Sequence, residues 1–469
     1  GVNSAMKLIH ATRRRGVRSR DKPVHCSLDL ATRQRNRGIT SCLRRRSARS
    51  TLTRLASTSH SRFCVATYGS ASRLRWPEIS PRTSTSRMRW PMPAYGSTLQ
   101  IIESLTTEVG QRLAGTEAEA RARDWGIAKF KELGFKNVRI EPFQVDRWER
   151  HSEHAEITSP FPQKLMITAL GGSIATGSDG IVGHVVRFEN LQALKDAPMK
   201  GLKGKIVFVD EYMTRTQDGS GYGVAVKKRS GAAVEAGKRG AVAALIRSVG
   251  TDHHRFPHTG QMTYDQNVVK VPIAALSAPD ADQLHRALGR GDVEVKLQID
   301  VQSYGKSQSG NVIAEIPGVT DEIVIIGAHL DSWDLGTGAV DDGAGIGITV
   351  GAAKLILDMN KKPKRTIRIV MFGAEEVGLV GAIAYAKEHA NELDRHVVGT
   401  ESDFGAGKVW RFDTNFAESK LYKAKEIHKV LEPLGIALGS NNASGGPDMG
   451  PLRMLGMPVV TLKQNGWDY

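Results

Sequence analysis

The sequence lacks any continuous run of 18 apolar residues, so it predicts no transmembrane helix. Cysteine is also scarce: the chain has three, Cys26, Cys42 and Cys64, all in its first 64 residues. The segment LIHATRRRG after Met6 has no apolar core of the kind that a signal peptide needs. The later residues contain no cysteine at all, so disulfide chemistry does not identify the cellular compartment.

Acidic residues are nearly absent from the first hundred positions, where 21 Lys and Arg accompany only Asp21, Asp29 and Glu78. The remaining 369 residues hold 44 of the chain's 65 basic and 46 of its 49 acidic side chains. The formal net charge of +16 therefore comes from one end of the chain, and the rest is near neutral. This distribution argues against nucleic-acid binding by the globular part.

Residues 1–96 are rich in Arg, Ser and Thr and show no sustained helical or strand period. Such a composition buries too little apolar surface to fold alone. We therefore expect a disordered tail, or a misread gene start, since the segment begins without Met and differs in composition from residues 97–469. A basic arm that binds nucleic acid, anionic lipid or an acidic partner is the alternative.

The most informative stretch lies in the second half of the chain. Apolar runs at 323–326, 367–372 and 396–400 end abruptly in polar or glycine residues, which is typical of buried strands. Apolar residues with helical spacing fill the interval 344–359. A strand, a helix and a second strand in this order predict parallel pairing. We expect a mixed, mainly parallel α/β sheet with helices on both faces.

Acidic residues follow each predicted strand, and a histidine accompanies them after the first one. In chain order they are His329 and Asp331, Asp341 and Asp342 at the start of the helix, Glu375 and Glu376, and Glu401 and Asp403. Because the carboxyl ends of parallel strands share one edge of a sheet, these side chains can converge on one crevice. Without cations their like charges would repel, whereas one or two divalent ions remove this cost. Mixed nitrogen and oxygen ligands favour zinc, with manganese or cobalt as alternatives.

Two simpler interpretations compete with a metal site. The acids could be solvated loop residues, and Asp341 or Asp342 could cap the helix after them. The glycines within residues 343–347 could indicate a dinucleotide loop, but they lie inside the predicted helix rather than in a strand-to-helix turn. The spacing favours the metal site over both.

The ordered motifs HLDSWD, DDGAG, AEE and ESD resemble metallopeptidase family 28, the co-catalytic dizinc exopeptidases. These motifs are most similar to those of the plasma glutamate carboxypeptidase branch and its bacterial relatives. The resemblance extends from about residue 97 to the end. It implies the dizinc exopeptidase fold, a peptide or dipeptide substrate, and a secreted or periplasmic protein. It implies no nucleic-acid partner and leaves the oligomeric state open, with a homodimer among the options.

The resemblance also implies individual roles. The implied ligands of two zinc ions are His329, Asp341, Glu376 and Asp403. Asp341 would bridge the ions, and Glu375 would be the general base that takes a proton from the shared water. Asp331 would accept the remaining ring N–H of His329 and so fix its tautomer.

One expected ligand is missing from this pattern. In the family the second zinc has a further histidine near the end of the catalytic domain, and here the chain stops at Tyr469 before any such residue. We therefore expect a C-terminally truncated fragment with an incomplete second site, and a metal-binding protein without turnover is an alternative to the enzyme. A one-zinc glutaminyl cyclase shares the fold, but the pair Asp341 and Glu376 favours two metals and hydrolysis.

The predicted catalytic domain comprises residues 97–164 and 303–469. Residues 99–113 and 116–133 have helical patterns, and Thr116 with Glu119 forms a capping-box signature. No chemistry is assigned to this opening segment. The intervening residues 165–302 resemble a β-rich protease-associated insert, a module that shapes or covers the substrate cleft.

Several further polar residues have two interpretations each. The segment HHRFPHTG contains His253, His254 and His258, for which an exposed loop or cleft rim is favoured over a metal site. Asp448 lies in a glycine-rich loop and either orients substrate or forms a turn. Since no motif places an arginine to bind a terminal carboxylate, aminopeptidase or dipeptidase activity is favoured over a carboxypeptidase of the glutamate carboxypeptidase type.

Overall fold

The computed structural model describes residues 93–467. The predicted basic tail lies outside the described residues, apart from positions 93–96, and so do its three cysteines. The described residues belong to one compact unit. None of the helices in this part of the chain is both long enough and apolar enough to span a bilayer.

The described region contains fourteen strands and ten α-helices. The strands are β1 (Lys136–Ser159), β2 (Gln163–Leu165), β3 (Ile167–Ala169), β4 (Ile181–Phe188), β5 (Ile206–Val209), β6 (Ala243–Arg247), β7 (Ile273–Leu276), β8 (Glu294–Ile316), β9 (Ile323–His329), β10 (Thr366–Phe372), β11 (His396–Glu401), β12 (Val409–Asn415), β13 (Ala437–Leu438) and β14 (Val459–Gln464). The helices are α1 (Pro93–Ser104), α2 (Glu117–Glu132), α3 (Leu191–Asp196), α4 (Tyr222–Ala225), α5 (Lys228–Lys238), α6 (Ala278–Leu288), α7 (Ala344–Asp358), α8 (Val380–Glu388), α9 (Leu421–Leu431) and α10 (Met449–Met454).

All the strands are linked by hydrogen bonds into one mixed sheet. Its order is β13-β12-β14-β11-β9-β10-β8-β4-β5-β6-β7-β3, and β1 pairs with β8 and β2. Strands β9, β10 and β11 are parallel neighbours, as the strand-helix-strand pattern predicts. Their carboxyl ends therefore lie side by side at one edge of the sheet.

Strand β10 shows why helices cover both faces. Alternate side chains of a strand point to opposite faces, and Ile369 packs in the core beneath α7, with Val350 of that helix. The next residue, Val370, packs in the opposite core with Tyr385 of α8 and Leu452 of α10. The predicted mixed α/β sheet with helices on both faces is confirmed.

The opening helices differ from the prediction in one place. Thr116 is the N-cap of α2 and accepts from the Glu119 N–H at 3.3 Å, as expected. The helix predicted over 99–113 is wrong at both ends: α1 begins at Pro93, and a wider turn, Leu105–Val109, ends at Gly110. Gly110 has φ +77°, a left-handed conformation that stops helix propagation and is accessible to glycine.

A long two-stranded ribbon joins the two parts of the sheet. Strand β1 pairs antiparallel with β8 from Lys136 opposite Glu315 to Ser159 opposite Glu294. We call β1 and β8 together the ribbon. Strand β8 continues through residue 302, where the insert is predicted to end, although the pairing register shifts between residues 303 and 305. Between the ribbon's two strands lie α3 to α6 and the parallel strands β4 to β7, with a hydrophobic core of their own.

Candidate metal centre

Three side chains from two of the adjacent strand ends and the turn before α7 form a potential metal site. One ligand atom each from His329, Asp341 and Asp403 lies within 4.8 Å of the others. Nε2 of His329 is 2.9 Å from Oδ1 of Asp341 and 3.7 Å from Oδ1 of Asp403. One imidazole with two carboxylates is a donor set that suits zinc. Among residues 93–467 this is the one group of at least three such side chains with this geometry.

The main chain of Asp331 orients His329. The imidazole is buried, and its Nδ1 lies 2.9 Å from the carbonyl oxygen of Asp331. A proton on Nδ1 donated to this carbonyl leaves Nε2 free to bind a metal. The expected acceptor was the Asp331 carboxylate, whose Oδ1 is 3.7 Å from Nδ1. The predicted hydrogen bond from His329 to the Asp331 carboxylate is therefore not present.

The Asp331 carboxylate instead holds the main chain of the glutamate pair. Its two oxygens accept from the backbone N–H groups of Glu375 at 3.0 Å and Glu376 at 3.3 Å. Two main-chain donors compete better for a buried carboxylate than one ring N–H that already has a carbonyl partner. Asp331 thus fixes the loop after β10 relative to the loop after β9.

The two adjacent aspartates before α7 have different roles. Asp342 is buried; it accepts from the Gly345 N–H at 2.9 Å and from the His329 N–H at 3.1 Å. It therefore caps the helix, as one of the simpler interpretations proposed. Asp341 makes no such bond and faces His329. The peptide bond between the two residues is cis.

Glu375 and Glu376 follow β10 in a strongly acidic environment. Burial raises the pKa of both carboxyl groups well above the usual range. Asp403 raises the pKa of Glu375 further, and Asp341 does the same for Glu376. Glu376 is not part of the three-residue group, but it interacts electrostatically with its member Asp341. Buried acids that disfavour one another's ionisation provide a site for a divalent cation.

Arg112 is the basic side chain that sequence reasoning missed. Its fully buried guanidinium donates to the carbonyls of Leu330 at 2.5 Å, Thr337 at 2.7 Å and Gly338 at 3.0 Å. These carbonyls flank the loop that leads from β9 to Asp341. Burial lowers the pKa of Arg112 to about 10, against the opposing effect of the neighbouring acids. No motif marks this arginine, which lies in a segment predicted to be ordinary scaffold.

Asp448 lies inside the protein at the start of α10. Its side chain is fully buried, and its main-chain N–H donates to Oε2 of Glu401 at 2.7 Å. Burial and the Glu401 charge raise the pKa of Asp448 well above its usual range. The carboxylate does not cap the helix. Asp448 lies in a turn closed by the Gly450 N–H, which donates to the Pro447 carbonyl at 2.9 Å. Its carboxylate makes no hydrogen bond to that turn, and substrate orientation stays a prediction.

The three histidines of the insert do not form a cluster of metal ligands with one another. His253 and His254 are exposed, and His253 lies 3.0 Å from Asp282. His258 points inward, with Nδ1 2.9 Å from the Val249 carbonyl. Burial and Arg229 lower the pKa of His258, whereas the Asp341 carboxylate raises it. The insert therefore approaches the metal centre at His258.

The buried acids make the stability of the metal-free chain depend on pH. Burial raises the pKa of Glu401 to about 8 and that of Glu119 to about 7. Each group ionises in the unfolded chain near its ordinary pKa of about 4.3, so the unfolded state binds fewer protons between that value and the raised one. Stability is thus expected to fall as pH rises from 5 to 8.

Urea unfolding midpoints measured in EDTA at pH 5, 6, 7 and 8 check this expectation. Saturating zinc should raise the midpoint most at the high end of the range, because the ion competes with protons for the carboxylates. A midpoint that rises with pH in EDTA would contradict the assigned direction.

A buried imidazole and converging carboxylates at the carboxyl ends of parallel strands define a metallohydrolase of the α/β class. A family model described as Peptidase family M28 matches residues 311–469. Carboxypeptidase Q of Xenopus laevis is 35% identical over 357 residues, which cover 76% of this chain and 74% of that protein. Carboxypeptidase Q of Bos taurus is 34% identical over 371 residues, covering 78% and 76%. The chain belongs to peptidase family M28, and its class is that of the metallo-exopeptidases.

Solved structures agree with this assignment. A crystal structure of a Peptidase M28 precursor from Shewanella amazonensis SB2B has a TM-score of 0.79 at 51% identity and covers 80% of this chain and 85% of its own. A zinc aminopeptidase from Bacillus subtilis has a TM-score of 0.57 at 22% identity, covering 79% and 85%, which shows the shared fold alone. The predicted family and enzyme class are confirmed.

Proposed function

We propose that the chain is a zinc-dependent exopeptidase of the aminopeptidase or dipeptidase type. The observation that carries this proposal is the convergence of His329, Asp341 and Asp403 beside two buried glutamates. The expected substrate is a short peptide cleaved at its terminal bond.

Each metal-facing residue has a proposed role. His329, Asp341 and Asp403 would hold one zinc ion, and Asp341 with Glu376 would hold a second. The ions would supply a water of lowered pKa and polarise the carbonyl of the scissile bond. The pKa of Glu376, raised while no cation is present, supports its role as a ligand, because a bound cation favours its ionised form.

Glu375 is the proposed general base. It would take a proton from the attacking water and return this proton to the leaving amine. Its backbone N–H is fixed by Asp331 at 3.0 Å, so the side chain starts from a defined position next to the metal ligands. Burial raises the pKa of this carboxyl group while no cation is present, and bound zinc ions would favour its ionised, proton-accepting form.

The carboxypeptidase alternative is supported by the relatives named Carboxypeptidase Q. The two polarities differ in which end of the substrate must be free. An aminopeptidase cleaves Ala-Ala-amide but not N-acetyl-Ala-Ala, a carboxypeptidase does the reverse, and a dipeptidase cleaves neither blocked peptide. A metal-binding protein without turnover would cleave none of them, even with zinc bound.

The zinc site is tested with His329→Ala and the matched control His254→Ala, which removes an exposed histidine of the insert. Zinc per chain, measured by elemental analysis after dialysis, is expected to be at least one in the unaltered protein and to fall by about one in His329→Ala. Hydrolysis of Ala-Ala should fall at least 100-fold in His329→Ala and stay unchanged in the control, since three-ligand sites bind zinc much more tightly than two-ligand remnants.

Equal zinc content in the two variants would show that His329 is not a ligand. If the unaltered protein binds zinc as expected but hydrolyses no peptide, the metal site is supported and the proposed peptidase activity is rejected.

We further propose that residues 165–302 act as a protease-associated insert that shapes the cleft. The inward position of His258 supports this, because the Asp341 charge affects its pKa. Export of the protein stays a prediction from the family resemblance.

A further inference from the structure

One loop of the insert lies against the segment that follows β9. We call residues 248–261, which follow β6, the insert loop. Arg150 of the ribbon joins this loop to the catalytic part, because its guanidinium donates to both carboxylate oxygens of Asp334 at 3.0 Å and to the Thr259 hydroxyl at 3.3 Å. The Arg150 side chain is only 6% exposed. The insert loop is thus attached to the segment that leads from β9 to Asp341.

The same loop also contacts the segment after β14. The Thr251 hydroxyl donates to the Trp467 carbonyl at 3.2 Å, and the Gly466 N–H donates to the carbonyl of Gln217 in the insert at 2.9 Å. Strand β14 is parallel to β11, so its carboxyl end lies at the same edge of the sheet as those of β9, β10 and β11. The insert loop therefore crosses the reactive edge between two attachment points.

His258 lies in this loop between Thr251 and Thr259, and both its main chain and its ring are held in place. Its N–H donates to the Ser248 hydroxyl at 2.6 Å, and its Nδ1 lies 2.9 Å from the Val249 carbonyl oxygen. A carbonyl oxygen only accepts, so the proton of the imidazole is on Nδ1. In the neutral ring Nε2 is then a hydrogen-bond acceptor.

A buried cation beside His258 favours this neutral form. Nη2 of Arg229 lies 3.3 Å from Nδ1 of His258. The guanidinium is fixed there, since Nη2 donates to the Thr259 carbonyl at 2.6 Å and Nη1 donates to the Tyr222 hydroxyl at 3.0 Å. Burial and this cation lower the pKa of His258, and the Asp341 carboxylate acts in the opposite direction. The imidazole is therefore a neutral acceptor within electrostatic range of the metal centre.

The crevice that His258 approaches is rich in acids. Asp341, Asp403, Glu375 and Glu376 follow the strand ends there. Acidic side chains attract a positively charged group and repel a carboxylate, and a nitrogen lone pair has the same preference. His258 is partly exposed, so a ligand can reach its ring. The ligand group that suits both features is an amino group, which donates N–H hydrogen bonds and is positively charged when protonated.

We propose that His258 is a substrate-binding residue whose Nε2 accepts a hydrogen bond from the free α-amino group of a peptide at the metal centre. This inference rests on the proposed exopeptidase function and adds to it the end of the substrate that is recognised. The substrate class is that of short peptides with an unblocked N-terminus. A terminal carboxylate in the same position would face the Nε2 lone pair and be repelled.

The test compares Ala-Ala with propionyl-Ala, the same molecule with the α-amino group replaced by hydrogen. Calorimetry on the zinc-loaded full chain carrying Glu375→Gln measures binding without turnover. Ala-Ala is expected to bind at least ten times more tightly than propionyl-Ala, which is the effect of one hydrogen bond to a charged group. Adding His258→Asn should lower this ratio at least fivefold, because the Asn amide can still donate to the Val249 carbonyl but does not reach the position of Nε2.

Two further variants separate binding from a structural role. His258→Gln carries an amide oxygen that reaches the position of Nε2, and it should restore the ratio to within about threefold. His254→Asn is the matched control at an exposed position of the same loop, and it should leave the ratio unchanged. An unchanged ratio in His258→Asn, or equally weakened binding of both ligands, would overturn the proposed contact. Loss of about one zinc per chain in His258→Asn would also overturn it, since His258 would then be a metal ligand.

Hydrolysis of Ala-Ala by the chain with Glu375 intact tests the proposed function separately. His258→Asn should raise KM for Ala-Ala at least fivefold and leave kcat within about threefold. Amine-dependent binding that His258→Asn weakens, without any hydrolysis by the unaltered protein, would support the role of His258 and reject the exopeptidase. Hydrolysis with the same KM in His258→Asn and in the unaltered protein would reject the role of His258 and leave the exopeptidase intact.

Discussion

Glu375→Gln is expected to lower kcat by a factor of about 10²–10⁴, which is the typical contribution of general acid–base catalysis. The amide keeps the size and the hydrogen-bonding shape of the side chain but does not accept a proton. The N–H contacts of residues 375 and 376 with Asp331 come from the main chain and persist. Zinc content, measured by elemental analysis, should therefore stay unchanged while turnover of the best dipeptide is lost.

The control is Glu388→Gln, the same substitution at an exposed position of α8. Its kcat should equal that of the unaltered protein. If Glu375→Gln retained full turnover, another group would have to receive the proton of the water. If it lost zinc instead, Glu375 would be a ligand rather than the base.

Arg112→Met is expected to destabilise the chain by about 3–5 kcal/mol, as removal of one partner from a buried charged network does. The substitution leaves four carbonyls without their Arg112 donor, those of Gly110, Leu330, Thr337 and Gly338. It also removes a buried positive charge near Asp331, Asp341 and Glu376. Urea unfolding in EDTA measures the loss, and added zinc should recover a part of it, because the ion neutralises the same acids.

Arg121→Met is the matched control for this change. Arg121 is exposed on α2, and surface substitutions of this kind alter stability by about 0.5 kcal/mol or less. An unfolding midpoint for Arg112→Met equal to that of the control would mean that the guanidinium does not support the loop before Asp341.

The convergence of the acids could be predicted because it depends on strand direction alone and on no side-chain detail. Apolar runs separated by a helix predict parallel strands, and parallel strands bring His329 and Asp403 to one edge of the sheet. The family resemblance then supplied a role for each residue. One predicted contact, the hydrogen bond from His329 to the Asp331 carboxylate, is not present.

The partners of Asp331 and Arg112 could not be predicted, since both side chains bind main-chain groups. Any residue offers the same N–H and C=O, so the sequence around Glu375 or Leu330 carries no signal for these contacts. Only one half of the predicted capping box is present, for a related reason. Thr116 caps α2, but Glu119 turns inward to Ser309, 190 positions later in the chain, where burial supplies another partner.

The length of β8 was also beyond sequence reasoning. Alternation over 293–301 and the apolar run at 311–316 indicate two separate strands, because residues 302–310 between them show no alternation of apolar and polar side chains. In the structure the main chain of β1 pairs with this stretch on both sides of a register shift at residue 304. The predicted boundary at residue 302 therefore falls in the middle of a strand.

The ribbon limits where the chain can be divided into independently folding fragments. A cut at residue 302 would divide β8 and deprive one end of β1 of its hydrogen-bond partners. Neither the insert nor the catalytic part is then expected to fold on its own when fused to another protein. Because both parts share the ribbon, the insert and the catalytic part are expected to unfold cooperatively.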